Sequence, residues 1–227
     1  MKNIILQHWA GPINELTKLS SANISKYATK VNADYELILG HPFRSYLSAP
    51  CQKMYMLDER FDEYDDVVMM DADMFTRKGM CDNVFDPSIT GIGMHTRYQS
   101  EIFKGLLKQC PSLTNSKYAY WGGAIYKIDR NTRQKFRSLI REDDLKIIGK
   151  TTYEDEAIMH RLASLAEIKQ IALPGDNKWC CGNFERALND AALIHIRHKV
   201  KSGDGQFIKK PKIEVYRELV SQGLIEE

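Results

Sequence analysis

Val67-Val68-Met69-Met70-Asp71-Ala72-Asp73-Met74-Phe75 is the stretch on which the reading of this chain turns. Four apolar residues in a row read as a strand covered on both faces in the middle of a sheet, and they run straight into two carboxylates one residue apart. Buried acids must be paired or bound to metal. In an open α/β sheet, ligands bind outside the carboxyl ends of the strands, which is where Asp71 and Asp73 fall. If the strand turns there, both acids address one divalent cation, and their hard oxygen atoms suit Mn²⁺ or Mg²⁺. The competing reading is a surface turn rich in aspartate, which the core strand before the acids disfavours.

Upstream, Asn3 to His8 reads as a buried strand, and Leu16, Leu19, Ile24, Tyr27 and Val31 recur at helical spacing after Gly11-Pro12. Tyr35 to Leu39 reads as a second strand, and Pro50 opens a helix carrying Tyr55, Leu57 and Phe61. With the acid-bearing strand these make a right-handed βαβαβ unit. Downstream, strands are expected at Ile89 to Met94, Tyr118 to Ile128, Ile168 to Leu173 and Ala192 to Ile196. Helices are expected at about Asn131 to Arg141 and Tyr153 to Leu165. Gly203-Asp204-Gly205 reads as a loop, and Pro211 starts a last amphipathic helix with Ile213, Tyr216, Val220 and Leu224. Alternating strands and helices define the α/β class.

The 227 residues suit one large domain, and 43% hydrophobic with 27% charged residues excludes disordered and fibrous classes. With 32 basic side chains against 30 acidic ones, the net charge of +2 gives no bulk attraction to nucleic acid. No segment reaches the roughly 20 apolar residues of a spanning helix, and the first apolar run ends at Gln7 and His8, too soon for a signal sequence. A cytoplasmic protein is expected, with Cys51, Cys81, Cys110, Cys180 and Cys181 reduced, since an odd number without CxxC spacing suits neither a disulfide framework nor a zinc cluster.

The strand and its Asp-Ala-Asp resemble the metal-dependent nucleotide-sugar glycosyltransferases of GT-A fold, in particular the glycogenin and bacterial galactosyltransferase type, and also small virus-encoded glycosyltransferases of similar length. The resemblance implies a single GT-A (Rossmann-like) domain over residues 1–227, with a mixed central sheet flanked by helices. Residues 1–75 would form the nucleotide-binding half, 76–200 the donor-sugar and acceptor half, and 201–227 a C-terminal loop and helix. Asp71 and Asp73 would bind Mn²⁺ or Mg²⁺ bridging to the diphosphate of a UDP-sugar, with Ala72 between them among the donor contacts. Lys53 matches a family basic residue on the helix before that strand, although a solvated lysine explains it as well. Late in such chains a His-x-x-Gly-x-x-Lys string supplies a metal ligand and a diphosphate lysine. Here it reads His195-Ile196-Arg197-His198-Lys199-Val200-Lys201, with His198 replacing the glycine. His195 is thus implied as a third metal ligand, and Lys199 and Lys201 as the diphosphate clamp, while Lys209, Lys210 and Lys212 read as surface charge.

Gln7-His8-Trp9 ends the first strand, where this fold receives the base, and an aromatic beside hydrogen-bonding groups suits uracil; a buried strand-end Trp is the alternative. Arg44 would reach base or phosphate, or be solvated. Trp121-Gly122-Gly123 interrupts a strand, either to admit a sugar ring or as a β-bulge. Glu154-Asp155-Glu156 opens a helix and fits capping boxes with Thr151 and Thr152. Comparable helices in the resembled family carry an acidic pair facing the acceptor, which makes Asp155 with Glu154 the candidate acid-base element. The expected activity is sugar transfer from a UDP-sugar to a hydroxyl of a glycan, glycoprotein or other acceptor, retaining rather than inverting. The rivals are a haloacid-dehalogenase-type phosphohydrolase, for which Gly175-Asp176 would be the later acidic motif, and a non-catalytic sugar-nucleotide-binding module.

Overall fold

The structure is a computed structural model that describes residues 1–94, 103–106, 108–118, 120–151, 154–169, 172–175, 178–185, 188–201 and 205–226. Its central sheet is built on β1 (Asn3–Trp9), β2 (Asp34–Leu39) and β3 (Asp66–Asp71), with α1 (Glu15–Lys30) as the first crossover. The second crossover is a 3₁₀ segment, Pro50–Leu57, rather than an α-helix. Within it Gln52 is fully buried, accepting from Phe43 N at 2.9 Å and donating to Arg44 O at 2.9 Å, which ties the segment to the loop before it.

Strands β1 and β2 are parallel, as are β1 and β3, so the parallel three-strand core of the expected βαβαβ unit forms, with a 3₁₀ segment in place of its second helix. β4 (Met74–Thr76) leaves the sheet after the two acids. β5 (Gly93–Met94) and β6 (Gly122–Asp129) complete the sheet in the order β2-β1-β3-β6-β5, with β6 antiparallel to β3, which makes it mixed. Strand β3 is second to none in burial: Val67, Val68, Met69 and Met70 are fully enclosed. Val67 and Met69 join one apolar cluster with Ile4, Leu6 and Tyr126, while Val68 and Met70 join another with Ile5 and Ile125. An unbroken apolar run is what a strand with a core on each face demands, each such side chain being worth about 1.5–3 kcal/mol.

Helices α2 (Arg130–Ser138), α3 (Glu142–Ile148) and α4 (Glu154–Leu165) follow. The expected helix thus stops at Ser138, and α3 is a further helix with Glu142, Asp143 and Asp144 in its first turn. The strand expected over Ile168 to Leu173 does not form among the described residues. Ile168 N is spent on Ala163 O at 3.0 Å, closing the end of α4, and only Leu173 N reaches across, to Gly93 O at 2.8 Å. The expected Ile89 strand shortens to β5, and that from Tyr118 begins at Gly122.

A second sheet gathers β4, β8 (Leu193–His195) and β7 (Cys181–Gly182). A hairpin of β9 (Lys199–Lys201) and β10 (Phe207–Lys209) leads to α5 (Lys212–Ser221). Val215, Tyr216 and Leu219 of α5 are buried with Phe75, Ile194 and Leu16, and the Phe75 and Tyr216 rings lie 4.9 Å apart. The expected last helix therefore packs on the small sheet and α1. No helix among the described residues is long and apolar enough to cross a membrane. Gly203-Asp204 and the Thr152-Tyr153 start of the expected helix lie outside the described residues, as does Asp176.

Candidate metal and donor site

Pairing of β8 with β4 decides the site. Met74 stands opposite His195, and Ile196 N donates to Asp73 O at 3.0 Å, so the late strand delivers an imidazole beside the two acids. His195 Nε2 lies 3.0 Å from Asp73 Oδ1 and 3.7 Å from Asp71 Oδ2. The closer approach lacks hydrogen-bond geometry, and Asp73 Oδ1 is buried with no hydrogen-bond partner. On the other edge of the ring, Nδ1 meets the Cys180 Sγ at 3.4 Å. Burial pushes that thiol up, so it stays protonated. Nε2 is therefore the nitrogen turned toward the carboxylates.

Each acid is held by a lysine on its remaining oxygen. Asp71 Oδ1 accepts from Lys53 Nζ at 2.9 Å, and Asp73 Oδ2 accepts from Lys212 Nζ. That fixes both carboxylates with one oxygen each facing His195, and the three groups offer ligand atoms within 4.8 Å of one another. Burial works to raise the Asp73 carboxyl, but His195 and Lys212 outweigh it and hold it well below the usual carboxylate range. Lys212 had read as surface charge in the sequence; here it is a partner of the second acid, a correction to that reading.

Lys53 is buried, and besides Asp71 it binds Asp155 Oδ2 at 2.7 Å and Gly123 O at 2.6 Å. Burial alone would lower its pKa, but Asp155 and Asp71 more than offset this and keep the ammonium charged. The three acids at the start of α4 thereby separate by role. Glu154 accepts from Ser48 Oγ, Asp155 faces Lys53, and Glu156 Oε1 accepts from Gly123 N at 2.9 Å. Only Asp155 connects to the acids of β3. Gly123 has to be glycine for this: a Cβ there would lie 2.2 Å from Asp155 Oδ2. The expected Thr151 capping box is not made, because Thr151 N donates to Ile148 O at 2.8 Å and the Glu154 carboxylate is turned to Ser48; Thr152 lies outside the described residues.

Glu156 carries a measurable consequence. Burial, with the nearby Asp155 charge, raises its carboxyl to about 7. A folded-state pKa above the unfolded value means the native state holds the extra proton, so stability is full below about 4.5 and declines as pH rises toward 7. Glu156→Gln keeps the acceptor for Gly123 N and removes this decline. We expect the variant to melt above the wild type at pH 8, by an amount on the order of 2 kcal/mol, with the two converging near pH 4.5; equal melting at pH 8 refutes the assignment.

Gln7 is fully buried and its amide is spent on Ser20 Oγ, Asp71 O and Tyr35 Oη, so it braces Asp71 from behind. His8 Nε2 meets Gly40 O at 2.7 Å. Arg44 pairs with Glu142 at 2.7 Å. Trp121 is 1% exposed, within the core of the first cluster, and its Cβ fills the space beside Gly93, so its ring presents no face to a ligand. Gly122 lies beside Gly123 in β6. Lys199 and Lys201 rest their ammoniums over the Phe207 ring, at 3.9 and 5.7 Å, on the hairpin rather than on the acids. Trp9 and Ala72, by contrast, line a cleft of about 370 Å³ that opens onto Asp73, together with Thr17, His198 and Lys212. Cys180 and Cys181 are buried and free. Sequence reasoning missed Lys212, Cys180 and the cleft wall from α1, none of which carries a local signal.

No protein-family model matches the chain, and no curated protein matches it in sequence. Among solved structures it is similar to the crystal structure of a glycosyltransferase involved in the glycosylation of the major capsid of PBCV-1, with a TM-score of 0.58 and 11% identity. The match covers 97% of this chain and 100% of that one. At that identity the likeness is one of fold, and it agrees with the resemblance carried by Asp71-Ala72-Asp73: this chain has a GT-A-like glycosyltransferase fold, with Asp71, Asp73 and His195 gathered at the end of its central strand.

Proposed function

We propose that the protein transfers a sugar from a UDP-sugar to a hydroxyl acceptor, with Mn²⁺ or Mg²⁺ held by Asp71, Asp73 and His195. The observation that carries this is the convergence of Asp71, Asp73 and His195, whose ligand atoms lie within 4.8 Å of one another at the end of the central strand. A carboxylate this close to an imidazole nitrogen is satisfied by a proton on the ring or by a cation between them, and two carboxylates with one imidazole suit a divalent ion. Bound there, the ion supplies Lewis-acid neutralisation of charge developing on the departing diphosphate.

The chain's own residues do the rest. The cleft between the end of β1 and the start of α5 receives the nucleotide, with Trp9 offering an aromatic wall and Lys212 a positive charge near the phosphates. Lys53 holds Asp71 in position, and Asp155 holds Lys53. Transfer breaks the bond from the sugar C1 to the phosphate oxygen and forms one to the acceptor oxygen, whose proton departs. An inverting enzyme needs a carboxylate free to take that proton; Asp155 is engaged by Lys53, which supports retention.

A panel of nucleotide sugars with Mn²⁺, followed by assay of free nucleoside diphosphate, tests the reading. Release of UDP dependent on an acceptor supports transfer, and free phosphate from simple phosphate esters would instead favour the phosphohydrolase. Asp155→Asn, which loosens Lys53 and through it Asp71, is expected to lower turnover by about 10- to 100-fold. Unchanged turnover would confine Asp155 to a structural role.

A further inference from the structure

Lys212 is the first residue of α5, and its ammonium is bonded to the same carboxylate that faces His195. The helix behind it is fixed. Val215, Tyr216 and Leu219 are buried against Phe75 and Ile194, and beyond the helix Leu224 O accepts from Lys78 N at 2.8 Å. The side chain is not so confined: it is about one quarter exposed, at the wall of the cleft lined by Trp9, Ala72 and His198. Four methylenes let the ammonium move while the backbone stays.

A divalent ion on Asp71, Asp73 and His195 would place a second cation on the Asp73 carboxylate, and like charges so close repel strongly at a partly buried site. Lys212 must then give up Asp73 Oδ2 or weaken the ion's hold. Among the described residues the only other acid lining the cleft is Glu15, and both of its oxygens are taken by Arg217, at 3.0 and 3.3 Å. A released Lys212 therefore faces no spare carboxylate among the described lining residues of the cleft. An anion entering the cleft beside the metal site would replace the counter-charge that Asp73 had supplied.

We infer that Lys212 is a latch: it neutralises Asp73 while the metal is away and passes to the diphosphate of the nucleotide when the metal arrives, so that metal and nucleoside diphosphate each strengthen the binding of the other. This inference rests on the metal and donor reading above. Linkage requires the factor by which Mn²⁺ tightens UDP to equal the factor by which UDP tightens Mn²⁺. Lys212 contributes to it from both sides, opposing the lone metal and rewarding the pair.

Calorimetry on the full chain, with Mn²⁺ alone, UDP alone and each in the presence of the other, tests the latch. Lys212→Met is expected to bind Mn²⁺ alone roughly 10-fold more tightly than the wild type, and UDP with Mn²⁺ roughly 10-fold more weakly. Lys210→Met, which removes a neighbouring lysine paired with Glu218, should leave both affinities unchanged. Mn²⁺ affinity that is equal or weaker in Lys212→Met, with wild-type melting, overturns the latch and leaves the metal site standing. Absence of Mn²⁺ binding in both proteins overturns the metal reading and the latch together. Should Lys212→Met fail to fold, wild-type protein with ¹³C-methylated lysines, titrated with Mg²⁺, gives the answer by nuclear magnetic resonance. The Lys212 signal, assigned with Lys212→Arg, must move on saturation, and a fixed signal overturns the proposal.

Discussion

Asp73→Asn is expected to leave a folded protein that no longer binds Mn²⁺ or shows Mn²⁺-dependent binding of UDP. The amide keeps the shape of the carboxylate but loses the charge that His195 and Lys212 both face. Losing an outer partner of a metal ligand costs 10- to 100-fold in affinity, so loss of a ligand should exceed about 100-fold in calorimetry. Stability falls too, because a carboxylate held below its usual range contributes stability above the unfolded pKa, and this is lost as pH drops through the folded one. About 1–3 kcal/mol at pH 7 is expected from denaturant unfolding, with the gap to wild type closing in acid. Mn²⁺ binding that survives the substitution would remove Asp73 from the metal site.

Lys53→Met should produce the larger loss of stability. The ammonium is enclosed and serves Asp71, Asp155 and Gly123 O at once. Its removal leaves two carboxylates and a carbonyl turned toward the same apolar stem, and breaking a buried pair of this kind costs about 3–5 kcal/mol. Adding Asp155→Asn should recover part of the loss, giving a coupling energy in a double-mutant cycle. A cost under about 1 kcal/mol would mean that water enters and solvates the acids.

The parts of the site legible in the sequence were those where a local pattern met a topological rule. Asp71 and Asp73 follow four enclosed residues of β3, and a central strand ending in acids places them at the carboxyl edge of a parallel sheet. His195 came from the resemblance of its late string to a family motif, and it closes the apolar run of Leu193 and Ile194 in the small second sheet. Lys53 was legible as a basic residue ahead of β3, but its burial and its enclosure by Asp71 and Asp155 depend on β6 approaching through Gly123, which no local signal records. Lys212 was unreadable. Next to Lys209, Lys210 and Pro211 it looks like any solvated charge, and its partner lies far away in the chain. Helix boundaries failed where tertiary bonds competed with local ones. Thr151 N turns back to Ile148 while the Glu154 carboxylate turns to Ser48, and Ile168 N closes α4 instead of entering a strand. The three acids opening α3 were a usable helix-start signal for Glu142–Ile148 that periodicity alone did not reveal.

Pairing of β8 with β4 has a consequence for how the molecule is made. The parallel core of β1, β2 and β3 draws on the first third of the chain, whereas His195 joins Asp73 only when a strand near the other end has been synthesised and docked. Contacts between distant parts of a chain carry the largest closure entropy and form late. A nascent chain can therefore complete its first three strands and still present only two of the three groups. A cation held by all three would recognise the finished fold and not its precursor, and by mass action it would hold the early strand β3 and the late strand β8 together after folding.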